Sequence, residues 1–197
     1  MPFLILSLPR SRSAWTAHYL SYPHLNPPKP IGHEILGECD TVQKFLESYE
    51  NGMWGTCETA GATLWRIVRQ ELPHIQIVTI RRPLIDVHRS LLSMGVPANL
   101  TNLAAQDAML DAAQQDPAII SIPYNMLSEP FIGKWLFETM LEAEFDFEWW
   151  YRMINTNIQI NKEDFLERVS DFQKNLNSLA EDVKRWPMET VSTKHLN

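Results

Sequence analysis

Two short apolar runs, Phe3-Leu4-Ile5-Leu6-Ser7-Leu8 and Ile75-Gln76-Ile77-Val78-Thr79-Ile80, constrain this chain more than any other feature. The first predicts a strand, and the second, β-branched and mostly apolar, predicts a strand covered on both faces in a parallel sheet. Each also ends abruptly, at Pro9-Arg10-Ser11-Arg12-Ser13 and at Arg81-Arg82-Pro83. Helical patterning follows at once, over Ala14 to Leu20 and, with Pro83 in the first turn, through Leu92 to Gly95. A helix is predicted over Leu100 to Gln114 and another buried strand over Ala118 to Ile122. Strand, helix, strand, helix, strand predicts a three-layer α/β fold on a right-handed parallel sheet, with ligands in the crevice at the carboxyl ends of the strands.

The rest of the chain is read around that frame. Tyr22 to Pro30 holds four prolines in nine residues and is expected to be an exposed connection reaching to Gly32-His33-Glu34. Thr41 is a plausible N-cap for a helix over Val42 to Tyr49, and Thr59 for one running through Gln70. Beyond Pro130 the chain reads as helical. Glu138, Glu142, Glu144, Asp146 and Glu148 fall there in a stretch without Lys or Arg, as on a solvated acidic face, and the aromatic run Phe147 to Tyr151 is expected in the core. Phe165, Val169, Phe172, Leu176, Leu179 and Val183 repeat with helical spacing, so a C-terminal helical segment over about 162–185 should pack back on the same domain. Residues 1–197 are therefore read as one domain, a monomer or weak homodimer. The apolar opening run is about a quarter of a membrane span, and two cysteines make no disulfide framework, so no membrane association and a cytoplasmic location are expected.

Lys+Arg 17 against Asp+Glu 24 gives a formal charge of −7, which disfavours nucleic acid as a partner unless the cations are clustered. They are. Of ten arginines, Arg10, Arg12, Arg81, Arg82 and Arg89 follow the two strong strands. In a parallel sheet both stretches open on one edge, and the helix after the first adds unpaired N–H groups and its positive end, so the natural guest is a small polyanion. A magnesium-dependent phosphate loop would need G-x-x-x-x-G-K-[ST] and an Asp at another strand end. The first loop has no glycine and no lysine, and the later strands end in Arg81 and Pro123, so metal-assisted ATP hydrolysis is disfavoured and no metal is expected.

The segment Leu8-Pro9-Arg10-Ser11-Arg12-Ser13-Ala14-Trp15 resembles the 5′-phosphosulfate loop, roughly P-[KR]-S-G-[TS]-[TS]-W, of sulfotransferases that use 3′-phosphoadenosine 5′-phosphosulfate (PAPS). The resemblance implies a P-loop NTPase-like, sulfotransferase-like fold. In it Arg10 holds the phosphosulfate, Ser11, Arg12, Ser13 and Ala14 offer backbone N–H groups, and Trp15 lies near the adenine. Arg12 stands where that family has glycine. Thr79 to Leu91 is similar to the family's 3′-phosphate motif, with Arg81 or Arg82 and Ser90 as the implied ligands. The likeness covers the chain up to about residue 125 and is closest to the small, divergent members of bacteria and phages.

Sulfuryl transfer to an acceptor hydroxyl or amine needs positive charge on the leaving phosphate and a base for the acceptor's proton. His33 is the first candidate base, with Glu34 beside it to orient or replace it, and Glu58 is the second; both His33 and Glu58 are read as loop residues. His18 and His88 stand in reserve. The expected activity is thus PAPS-dependent sulfuryl transfer to an acceptor the sequence does not name. The rival readings are a nucleotide-binding or phosphoryl-transfer protein and a non-catalytic, degenerate sulfotransferase-like module.

Overall fold

The computed structural model of the protein describes residues 1–158 and 162–188, with side chains for all of these except 162–171. Phe165 and Val169 of the C-terminal seam therefore lie outside the described side chains. Five strands, β1 (Phe3–Ser7), β2 (Ile31–His33), β3 (Gly55–Glu58), β4 (Gln76–Arg81) and β5 (Ile120–Pro123), form one all-parallel sheet in the order β2-β3-β1-β4-β5. The helices are α1 (Ser13–Leu20), α2 (Val42–Glu50), α3 (Trp65–Glu71), α4 (Leu84–Ser93), α5 (Leu100–Gln114), α6 (Pro130–Leu141), α7 (Phe147–Ile154) and α8 (Lys162–Arg185).

β1 is central and fully enclosed, which is why its sequence is a continuous apolar run. Leu4 and Leu6 point into a core shared with α2, α3, α4 and α5, while Phe3 and Ile5 point into a second core with α1, α6 and α7. Helices thus cover both faces, an α/β arrangement consistent with three layers. From β1 the chain runs through α1 to β2 at one edge, and from β4 it runs to β5 at the other. The two neighbouring strands β1 and β4 send their connections in opposite directions, so a crevice opens between their carboxyl ends.

α8 docks on the first core through Leu179, and through Leu176 and Val183 packed beside it. Its Asn175 side chain donates to the Gly37 carbonyl at 2.6 Å, and the Phe172 ring lies where a Cβ on Gly37 would stand. Only glycine allows that approach.

Four expectations change. His33 and Glu58 end strands β2 and β3 rather than lying in loops. Those strands carry few β-branched residues, and Gly55 is required because a Cβ there would meet the Phe3 ring. Thr59 caps no helix: its N–H donates to Glu34 Oε2 at 3.3 Å, a turn of 3-10 helix spans Gly61–Leu64, and α3 begins at Trp65. β5 is a sheet edge with Ile120 exposed, not a buried strand. In the aromatic run Trp150 is buried, but Phe147 and Tyr151 are exposed. No helix among the described residues is long and apolar enough to cross a membrane, and Cys39 and Cys57 are free, buried thiols.

Candidate functional site

The loop from β1 to α1 holds two non-glycine residues in the left-handed region, Arg10 (φ 62°) and Arg12 (φ 64°, ψ 24°). Each such residue costs roughly 1–2 kcal/mol, and strain of this kind collects where a ligand is gripped. A turn built this way turns successive backbone N–H groups toward one concavity. The N-cap residue Arg12 makes no side-chain capping bond to α1, which leaves the N–H groups of its first turn to the loop.

The arginines divide sharply. Arg10 Nε donates to Ser90 Oγ on α4 at 3.2 Å, and Arg82 Nη1 donates to the Arg10 carbonyl. Burial, and then the charge of Arg82, lower the pKa of the Arg10 guanidinium from its ordinary value. Arg12 Nη1 donates to Ser128 Oγ at 2.6 Å, and the Arg12 and Arg82 guanidinium groups lie 5.5 and 4.6 Å from the centre of the Tyr124 ring. Among the described residues neither Arg12 nor Arg82 pairs with a carboxylate. Arg81 faces α5 instead, where it pairs with Asp107 at 2.6 Å and Asp111 at 2.7 Å. Arg89 is an exposed partner of Asp86 at 3.8 Å.

A cavity of about 560 Å³ opens over these strand ends, a size that suits a small-molecule site. Arg10, Arg12, Ser13, Ala14, Trp15, His33, Arg82 and Ser90 all line it. Ser11, Glu58, Arg81, His18 and His88 are not among the lining residues. Ser11 is fully buried, with a hydroxyl that has no hydrogen-bond partner among the described residues. Trp15 is fixed by Nε1–H donation to the Met153 carbonyl at 2.8 Å and by stacking on Tyr19.

Across the cavity, His33 Nε2 lies 3.1 Å from Ser13 Oγ and 3.6 Å from Glu34 Oε1. Glu34 is itself left-handed at φ 59°, and burial raises its carboxyl to about 7. Glu58 is fully buried and accepts from the N–H groups of Ile35 (2.9 Å) and Leu36 (3.3 Å) and from the Thr56 hydroxyl. Burial, and then the charge of Glu34, push its pKa well above the ordinary value. Glu58 therefore clamps the turn that presents His33 and Glu34 and does not itself face the cavity.

Sequence reading missed Tyr124, Thr59 and Gln106, which line the cavity, and gave Glu34 only a supporting place. Tyr124 directly follows β5, so the strand-end rule that found the arginines would have found it too. Gln106 sits inside a long helix and carries no local signal. Among the described residues no group of three or more His, Cys, Asp or Glu is arranged to hold a metal ion. Compared with known proteins, the chain matches no family model, no curated protein and no solved structure.

Proposed function

We propose that this chain is a P-loop-like sulfotransferase that binds PAPS in the cavity over β1 and β4 and passes its sulfuryl group to an acceptor beside His33 and Glu34. One observation carries the reading: the Arg10–Ser90 hydrogen bond brings the phosphosulfate-loop motif and the 3′-phosphate motif to one cavity. Arg12 supports it, since the chain takes a left-handed conformation at the position where the resembled loop has glycine. The residues present suit the ligand's two separated anions. Arg10 and the N–H groups of the loop and first helical turn hold the phosphosulfate, while Arg82 and Ser90 hold the 3′-phosphate. Arg82, eight residues before Ser90 and on the cavity wall, takes that part rather than Arg81.

In the reaction the acceptor oxygen forms a bond to sulfur and the bond from sulfur to the 5′-phosphate oxygen breaks. The electron pair stays on that phosphate beside Arg10, and the acceptor's proton passes to Glu34 or His33. The free, buried cysteines agree with a reducing, cytoplasmic setting. Incubation with PAPS and water as a poor acceptor tests the reading directly. Adenosine 3′,5′-bisphosphate and sulfate should accumulate in equal amounts. Tight nucleotide binding without turnover across a broad acceptor panel would favour the non-catalytic module.

A further inference from the structure

Phe147 and Tyr151, 55% and 59% exposed, stand one turn apart on α7 with ring centres 6.3 Å apart and planes 21° from parallel. Together they present an apolar strip to water, the mark of an interaction surface. The helix beneath them is firmly held. Trp150 is buried, and Asp146 accepts from the Trp149 N–H at 2.8 Å. Trp149 and Trp15 donate through Nε1 to the Tyr19 and Met153 carbonyls, each at 2.8 Å. A strip fixed in this way loses little freedom when it is covered. Beside the rings run Glu148, Arg152, Asn155 and Thr156, which line one groove with them. Glu148 and Arg152 have the spacing of an ion pair within a helix, yet among the described residues neither pairs with an opposite charge. The Arg152 guanidinium lies instead over the Trp149 ring, 5.3 Å from its centre.

We propose that α7 is the contact of a weak homodimer, in which two copies of the helix pack antiparallel across a two-fold axis. A two-fold interface uses one patch twice, and this patch complements itself. With the helices crossing near Trp150, Phe147 of one copy meets Tyr151 of the other and Glu148 of one meets Arg152 of the other, each contact made twice. The acidic first turn of each helix then faces the basic last turn of its partner, and the helix dipoles lie antiparallel. Other occupants fit less well. A lipid or an apolar peptide would leave Glu148 and Arg152 without partners, and a polyanion would meet the carboxylates of Glu144 and Glu148. Two turns of helix per copy make a contact well below the standard interface of about 1,600 Å², so the dissociation constant should be on the order of 10–100 µM. Thr156 borders both this groove and the cavity, so the dimer sets the second copy beside the cavity mouth. The inference does not rest on the sulfuryl-transfer reading.

Sedimentation equilibrium of the full chain, at concentrations up to roughly ten times the expected dissociation constant, tests it. The wild type should dimerise reversibly. Tyr151→Ala removes two rings from a symmetric contact at once and should weaken the dimer by about tenfold or more. Glu148→Arg and Arg152→Glu each set like charges opposite one another, so each variant alone should be monomeric. Mixed in equal amounts, the two should pair with each other at about the wild-type affinity, a recovery that a merely misfolded chain would not show. Thermal unfolding of each variant verifies its fold. A wild type that stays monomeric throughout would overturn the proposal and give the strip to a different partner. A dimer unaffected by Tyr151→Ala, or charge variants that fail to pair when mixed, would overturn it equally.

Discussion

Arg10 and Ser90, 80 positions apart in sequence, are joined by a 3.2 Å hydrogen bond from Nε to Oγ. The bond ties the loop after β1 to the middle of α4, so the two arginine-bearing stretches form one wall. With the Arg82 guanidinium on the Arg10 carbonyl, it holds two like charges close together at the mouth of a cavity. An arrangement of that kind is stabilised by an anion placed between the charges.

The two adjacent strand-end arginines should therefore separate cleanly. Arg82→Ala should weaken binding of adenosine 3′,5′-bisphosphate by about tenfold or more, as loss of a charge-assisted phosphate contact of roughly 1.5–3 kcal/mol implies. Arg81→Ala should leave that affinity unchanged and lower the melting temperature instead, because it strips Asp107 and Asp111 of their partner. Calorimetric titration and thermal unfolding of both variants measure the two effects independently. The opposite pattern would place the 3′-phosphate on Arg81.

The left-handed loop makes a second prediction. Arg12→Gly removes the strain at φ 64°, whereas Arg12→Ala keeps it, and both lose the bond to Ser128 and the contact with Tyr124. The glycine variant should be the more stable of the pair by about 1 kcal/mol in denaturant unfolding. Equal midpoints would mean that the backbone at this position is unstrained.

Much of this architecture was legible because its local signals were strong. β1 is a continuous apolar run, β4 a mostly apolar one, and Thr41, read as the cap of α2, accepts from the Lys44 N–H. β2 and β3 were illegible because Ile31-Gly32-His33 and Gly55-Thr56-Cys57-Glu58 become strands only by pairing with their neighbours on the sheet. The arginine clusters could be read from their positions at strand ends. Which of Arg81 and Arg82 enters the cavity could not, since neighbours at a strand end point to opposite sides and only α5, folded nearby, shows which side is which. Glu34 gained its importance from enclosure, which no local pattern encodes.

That enclosure predicts a pH dependence. The folded-state carboxyl of Glu34 is raised from 4.5 to about 7 by burial, and that of Glu58 is raised well above 4.5. The folded protein therefore holds protons that the unfolded chain releases, so the stability these groups contribute is full below about pH 4.5 and is lost as pH rises toward and through 7. Melting temperature should fall over that window, and Glu34→Gln should reduce the slope. A melting temperature that rises across it, with wild type and Glu34→Gln parallel, would contradict the assignment.

The same groups set the activity. If the His33-Glu34 turn takes the acceptor's proton, His33→Ala and Glu34→Gln should each slow sulfate release from PAPS by ~10²–10⁴ with nucleotide affinity intact. Wild-type turnover should rise with pH through about 7 as Glu34 ionises. Glu58→Gln should be milder than either, because Glu58 holds the N–H groups of Ile35 and Leu36 and does not line the cavity. Equal loss in all three would place Glu58 on the reaction path.

The most direct test of a PAPS site between β1 and β4 is thermal unfolding of wild type and Arg82→Ala with adenosine 3′,5′-bisphosphate or with ATP and magnesium. The cavity supplies its positive charge from arginine side chains, and the first loop lacks the lysine and glycines of a magnesium-dependent phosphate loop. The bisphosphate at about 100 times its dissociation constant should add ~2.7 kcal/mol, or roughly 5–10 °C in melting temperature, more than ATP with magnesium does, and Arg82→Ala should remove most of the gain. A larger shift with ATP and magnesium, or no shift with either nucleotide, would contradict the account.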